Sequence, residues 1–568
     1  MRRRAWLLAI AAAWLAAAGV PAAAQSEAQP GASKAAFIIY ASPSARKLLE
    51  ADNYDLKARV NRWRDFLRER GASFTIVTHP AQLAQMPAGD ALILPSAVVL
   101  GDEERRLIAQ RIAAGESLLA TWMPGTLDAR GEPLAATFIE QTFQVAAKTQ
   151  PFADKGFLVT VGDTPFTHAL APGTRLWVGK EQRYRTPLLA TTGAGYLADW
   201  SRVPGDSGLI AFATVGKSRR VLLGWPENVW DPKSPEFRVI AGAAIDWIDG
   251  RPIAYAKTWP WPYRGAVTVG VDSLWRFENV PHVAELAAKH GVRASFHFLP
   301  ADARGNAPLV RDLLKSGQSV GGFGDDAQPF AGQPEAEQRA RIERMVQGFR
   351  DALGADFSLR GLRAPRGATD AATEKAAASL DYLVDVGRVD SAVPVLSDGR
   401  HLVILSASTN LDATSTPDAI AAGFAGATTR TRVLGGYAFV GVDAAALMRE
   451  SAVDVALATF IESTAALKAQ APWAASAADV AEWWRARSQL RVSSAWSPGD
   501  STMTLDVVAV EAMRFPLAIA IEPPPGAKNM RLEEVEGAQL QADGVGNLAV
   551  VVSALPAGAK RLRIRFLP

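Results

Sequence analysis

Six charged side chains in the middle of the chain have the types and settings to do chemistry. Asp272 closes the apolar run Ala266-Val267-Thr268-Val269-Gly270-Val271, and Asp385 closes Asp381-Tyr382-Leu383-Val384. Arg363 opens Arg363-Ala364-Pro365-Arg366-Gly367, which also supplies Arg366. Asp325 and Asp326 follow Gly321-Gly322-Phe323-Gly324. A carboxylate at a strand end beside a guanidinium can act as a base or fix a ligand hydroxyl. Asp325 and Asp326 with Asp272 would offer an oxygen-only site for magnesium or calcium, although adjacent aspartates in a Gly-rich loop also serve as ordinary turn residues. There are six histidines: His79, His168, His282, His290, His297 and His401. His282 and His290 lie eight apart on one expected helix, which is not the i, i+4 spacing of a shared ion. His297 alternates with Phe296 and Phe298, so it faces away from them. The chain has no cysteine, which removes disulfides, cysteine-ligated zinc, a cysteine nucleophile and a lipoprotein anchor.

The elements around these residues read as α/β. Asp272 ends a strand, a helix is expected around Val280 to His290, and Arg293–Phe298 is the next strand. Upstream, residues 35–255 alternate strand and helix, as expected for an open, mostly parallel sheet. Its strands are expected at Ala36–Tyr40, Phe74–Val77, Ala91–Pro95 and Ser117–Thr121. One of its helices carries Leu56, Val60, Trp63 and Leu67 on one face, with Asn53 as the expected cap. Trp259-Pro260-Trp261-Pro262 is stiffened by two prolines and marks a boundary. Trp225, Trp230, Trp247, Trp259 and Trp261 crowd that junction, as an apolar interface or as a sugar-binding surface. Residues 263–488 form the second large unit. Residues 489–568 carry short alternating strands separated by Gly and Pro turns, a small β-sandwich.

Residues 1–24 read as a secretory signal peptide: Arg2 to Arg4, an uncharged run from Ala5 to Val20, then Ala22-Ala23-Ala24 before Gln25. The run is short and alanine-rich for a membrane span. The protein is therefore expected to be periplasmic or secreted, with no membrane span after cleavage. Of 61 basic residues, three belong to this leader, which has no acid, so the remainder balances at 58 basic and 58 acidic. A neutral chain without a long basic run argues against nucleic acid as a partner.

Residues 263–450 resemble the polysaccharide deacetylases, carbohydrate esterase family 4. The phrase from Val280 to Leu299, the Arg363–Gly367 motif, Asp381–Asp385 and the helix Glu482-Trp483-Trp484, capped by Ser476 and Asp479, carry the resemblance. It implies a distorted (β/α) barrel with its site at the strand C-termini, and removal of N- or O-acetyl groups from a polysaccharide. In that family one aspartate and two histidines hold a divalent metal, a second aspartate is the base, and a later histidine is the acid. An arginine matching Arg363 orients the catalytic aspartate. If Asp272 matches the base, Ser273 stands in the ligand position; if Asp272 matches the ligand, Gly270 or Val271 stands in the base position. Phe323 and Ala327 stand where the ligand histidines belong, and Ser406 and Ala407 where the acid histidine belongs. His401 is near enough in sequence to compensate. The stretch from Asp90 to Thr121 resembles glutamine-amidotransferase-like domains, whose cysteine nucleophile is missing; Ser96 follows the strand without a G-x-S-x-G elbow.

These readings imply a deacetylase-like protein that binds or acts on envelope glycan or exopolysaccharide. Asp272, Arg363 and Asp385 are its expected catalytic set, and Asp325, Asp326 and Arg366 its expected glycan contacts. No metal and no cofactor is expected. An active N- or O-deacetylase with a rearranged site, and a structural envelope protein binding protein partners, are the alternatives.

Overall fold

The computed structural model describes residues 37–568, except 88–90, 152–155, 179–184, 190–194, 199–206, 231–233, 274–275, 387–390, 398–400, 448–450, 468–470, 534–535 and 543–546. The expected signal peptide lies outside the described residues.

The expected α/β architecture is present. The first sheet orders its strands Ile210–Val215, Ser218–Leu223, Leu118–Thr121, Ala91–Leu94, Phe37–Tyr40 and Phe74–Val77. All neighbours are parallel except the first two, which form a hairpin. Phe37 and Ile39 enter one apolar cluster, Ile38 and Tyr40 another. Burial on both faces is what a parallel sheet covered by helices requires. The helix Leu56–Glu69 is capped by Asp55, whose side chain accepts from the Ala58 N–H at 2.8 Å. Asn53, the expected cap, instead takes a left-handed turn (φ 61°) two residues earlier. Between residues 147 and 198 the chain leaves the alternating pattern and forms short antiparallel strands.

The second unit is a closed barrel of seven parallel strands. Ala266–Ser273 pairs with Ser295–Phe298, and the ring continues through Ser319–Gly322, Gly361–Arg363, Tyr382–Asp385, Val403–Leu411 and Tyr437–Asp443. Tyr437–Asp443 pairs back onto Ala266–Ser273 and closes it. Strand parity divides the side chains. Val267, Val269, Val271, Leu362 and Leu383 join the helix-facing cluster. Ala266, Tyr382, Val384, Leu405 and Phe439 belong to the other set.

The C-terminal antiparallel sheets form a sandwich. One contains Arg491–Ser497, Thr502–Ala509, Gly558–Leu567 and Asn529–Leu532; the other contains Leu517–Glu522, Leu548–Val552 and Ala538–Ala542. The second sheet recruits Ile253–Ala256, which pairs antiparallel with Leu517–Glu522. Thus the last strand before the Trp-Pro boundary belongs to the sandwich. The helix Ala477–Ser488 starts at Ser476, which accepts from the Asp479 N–H. Its Trp483 indole donates to the Thr258 carbonyl at 2.9 Å. Trp225, Trp230, Trp247 and Trp259 are buried, so the clustered tryptophans are chiefly core and interface packing. Among the described residues no helix is long and apolar enough to cross a membrane.

Candidate functional site at the barrel mouth

Seven parallel strands place all their C-terminal ends at one rim. Asp272 has the inward parity of Ala266 and Thr268, and Arg363 enters from Gly361–Arg363. Arg363 Nε donates to Asp272 Oδ2, and its Nη2 donates to Asn410 Oδ1 at 2.6 Å. The guanidinium also stands over the Phe439 ring, 5.1 Å from its centre. Both members of the ion pair are buried. Burying either charge alone would be costly, so each is the condition for the other's placement.

Asn410 reaches this level because the strand Val403–Leu411 is irregular. Its register against Tyr437–Asp443 shifts between Ala407 and Thr409. Such a bulge reverses the facing of the residues beyond it, so Asn410 points inward and Leu411 joins the helix-facing core. Gly441 leaves the room: a Cβ there would lie 2.5 Å from Asn410 Oδ1 and 2.6 Å from Arg363 Nη2.

His297 lies beneath the pair, fully buried, with Nδ1 3.4 Å from Asp272 Oδ1 and Nε2 3.4 Å from the Tyr382 hydroxyl. Burial pushes its pKa down, against the opposing pull of Asp272. Asp443 is the direct register partner of Asp272 on the neighbouring strand. Its carboxyl is pushed up by burial, opposed by the Ala445 N–H it accepts from; the negative charges of Asp272 and Asp412 add to the rise. The mouth therefore holds two carboxylates in different environments, one locked by a guanidinium and one whose pKa is raised by burial. Such a division suits proton transfer or the binding of hydroxyl and amide groups. Neither Asn410 nor Asp443 was among the expected site residues. Asp443 had a usable signal, since it ends an apolar strand just as Asp272 does.

The other expected residues lie elsewhere. Asp385 follows inward-facing Val384, so alternation turns it to the helix side, level with Ser406. Asp325 and Asp326 are held by Arg341, with Arg344 also on Asp325 at 2.8 Å. They do not form an oxygen site with Asp272; they brace a turn. Arg366 is exposed at the rim in a left-handed conformation (φ 58°). His401 precedes its strand and lies 3.9 Å from Asp381, at the end of the barrel opposite to Asp272. It does not reach the level of Asp272. His282 and His290 pair separately with Asp454 and Glu462. Ser96 takes φ 42° after its strand and donates to Glu227 Oε2 at 2.5 Å while accepting from Arg59. Ser96 and Glu227 have no solvent exposure, so this serine is locked in a core.

Residues 264–384 match the polysaccharide deacetylase family. A comparison with curated proteins gave no match. Several solved structures are similar at low identity. A Mycobacterium smegmatis protein assigned as a polysaccharide deacetylase is 20% identical over 41% of this chain and 94% of its own, with a TM-score of 0.36. A carbohydrate esterase family 4 pseudoenzyme from Bacillus anthracis is 15% identical over 38% and 65%, at 0.28. A family 4 carbohydrate esterase from Streptomyces lividans is 16% identical over 36% and 90%, at 0.26.

The residues present do not fit the divalent metal that this family implies. Phe323 is buried where a ligand would be needed, its N–H donating to the Phe298 carbonyl at 2.8 Å. Among the described residues no three His, Cys, Asp or Glu side chains are arranged to hold an ion. Over residues 264–384 the barrel is nonetheless similar in sequence to the polysaccharide deacetylase family.

Proposed function

We propose that this is a deacetylase-like protein, exported by a cleaved signal peptide to the periplasm or beyond, that binds envelope glycan or exopolysaccharide at the barrel mouth without the metal chemistry of its family. The observation that carries this reading is buried Phe323, which with Ser273 and Ala327 stands in the family's ligand positions around the retained Arg363–Asp272 pair. Arg363 contacting Asp272 supports matching Asp272 to the family's base, which leaves Ser273 in the ligand place. Asp272, Arg363 and Asn410 then fix sugar hydroxyl or acetamido groups at the rim, where exposed Arg366 adds a donor. Residues 35–255, whose sequence resembles glutamine-amidotransferase-like domains only from Asp90 to Thr121, act as a binding or packing module; the tie of Ser96 to Glu227 supports that reading.

The deciding experiment measures metal content and acetate release from acetylated glucosamine polymers on the purified protein. The expected result is polymer binding, weakened by Asp272→Asn, with substoichiometric metal and no acetate. Stoichiometric metal together with acetate release abolished by Asp272→Asn would replace this reading with an active, rearranged deacetylase. The proximity of Asp443 to Asp272 is the observation favouring that second reading.

A further inference from the structure

We infer that a cleft at the floor of the barrel, where all parts of the chain meet, is a second saccharide site for a neutral unit of one or two sugar rings. The cleft encloses about 450 Å³, within the range of small-ligand sites, which favour domain junctions. Asp163 and Phe212 come from the first domain, Tyr255 from the strand lent to the sandwich, Arg432 from the barrel floor, and Glu522 and Asn547 from the sandwich. Arg432 precedes the strand Tyr437–Asp443, whereas Asp272 ends its own strand. The two sites therefore lie at opposite ends of the barrel, roughly 20 Å apart at about 3.3 Å per strand residue.

The lining chemistry selects the ligand. Phe212 keeps 38% of its surface exposed, although its ring packs on Phe166 and Trp247. An exposed aromatic braced by two others is a rigid platform for the apolar face of a ring. Around it stand the acceptors Asp163 and Glu522, the donors Lys257, Arg264 and Arg432, and Asn547, which is both. Walls of both signs place a like charge against any simple ion. They suit hydroxyl groups, each of which donates and accepts.

The wall is preformed. Asp163 is held at φ 59°, a left-handed conformation uncommon outside glycine, and accepts from the Thr258 N–H at 2.8 Å and its hydroxyl at 3.0 Å. The Tyr255 hydroxyl donates to the Asp163 carbonyl at 3.1 Å, and the Tyr255 ring stacks on His168 at 4.7 Å. Strain retained at an open cleft and overdetermined by its surroundings is a mark of a functional position.

The test is calorimetric titration of the full chain with tri-N-acetylchitotriose, cellotriose and mannotriose. Two variants act on the cleft: Arg432→Ala removes an exposed donor, and Val433→Trp fills the space beside it. Asp272→Asn disables the mouth, so failure of the mouth proposal does not enter the result. At least one trisaccharide is expected to bind the Asp272→Asn protein, and each cleft variant to weaken it about tenfold or more, as loss of one or two good contacts does. Far-UV circular dichroism checks that both cleft variants are folded. Absence of binding by all three sugars, or binding that neither folded cleft variant weakens, overturns the proposal.

Discussion

At the scale of single residues, the contact between Arg363 and Asp272 sets what the mouth can do. Arg363 uses Nε on Asp272 and Nη2 on Asn410, a fork that lysine cannot reproduce. Arg363→Met strands a buried carboxylate and is expected to cost about 3–5 kcal/mol in urea unfolding. Arg363→Lys should fall between that variant and the parent; equal stability of lysine and arginine forms would show that the fork is unimportant. Asp272 was legible in the sequence because it ends a strand phrase, and Arg363 because it opens the Arg363–Gly367 motif that carries the family resemblance. Asn410 was not, because period-two alternation fails at the bulge beyond Ala407. A second residue carries a pH dependence. Burial, aided by Arg487, pushes His168 down to about 4, below its unfolded value of about 6.5. The unfolded chain then takes up the proton first. The stability that depends on His168 is whole above pH 6.5 and is lost as pH falls toward 4. Denaturant titrations across that window should show stability declining with acid, and His168→Phe, which keeps a ring against Tyr255, should flatten the decline. An unchanged slope in that variant would exclude His168 as the source.

At the scale of elements, the long helix Glu335–Leu353 explains why the Gly-rich loop carries two aspartates. Arg341 on this helix is buried, lies 4.2 Å from the Phe330 ring centre, and donates to Asp325, Asp326 and the carbonyls of Gln328 and Pro329. One arginine thereby gathers the loop that follows Ser319–Gly322. Arg341→Leu should leave Asp325 short of its principal partner, cost about 3 kcal/mol or more, and raise amide exchange across 323–330 more than elsewhere. Exchange that rises uniformly would mean that Arg341 supports the helix and not the loop. A sequence with two adjacent aspartates after glycines is compatible with ligand, metal or brace. Only the side chain arriving from sixteen residues downstream decides among them. The same limit appears at Asn53 and Asp55, both good caps by type, where the backbone turn at Asn53 leaves Asp55 to close the helix.

At the scale of the whole molecule, the units are laced together and not strung in a line. Strand alternation and apolar runs made the α/β class and the C-terminal strands legible, because each depends on local periodicity, whereas the barrel was implied by the resemblance to the polysaccharide deacetylases. Which sheet receives Ile253–Ala256 is a nonlocal choice. The strand is buried throughout, so its pattern fits either neighbour. It pairs Ile253 with Glu522 and Ala256 with Ile519, filling an edge that would otherwise expose unpaired peptide groups. Nearby, Arg487 donates to the carbonyls of Ala256 and Lys257, and Arg219 bridges the carbonyls of Trp247 and Pro523. Each arginine ties separate units together. A chain covering residues 489–568 lacks the strand and both arginines and leaves Leu517–Glu522 as an apolar edge. It is expected to aggregate or to melt without a cooperative transition. A chain covering residues 250–568 restores the strand and Arg487, and should melt cooperatively with the barrel and sandwich unfolding together. Size-exclusion chromatography and thermal circular dichroism on the two chains distinguish these outcomes. A well-folded 489–568 would mean that the borrowed strand only decorates a sheet already complete, and that the sandwich is an independent unit.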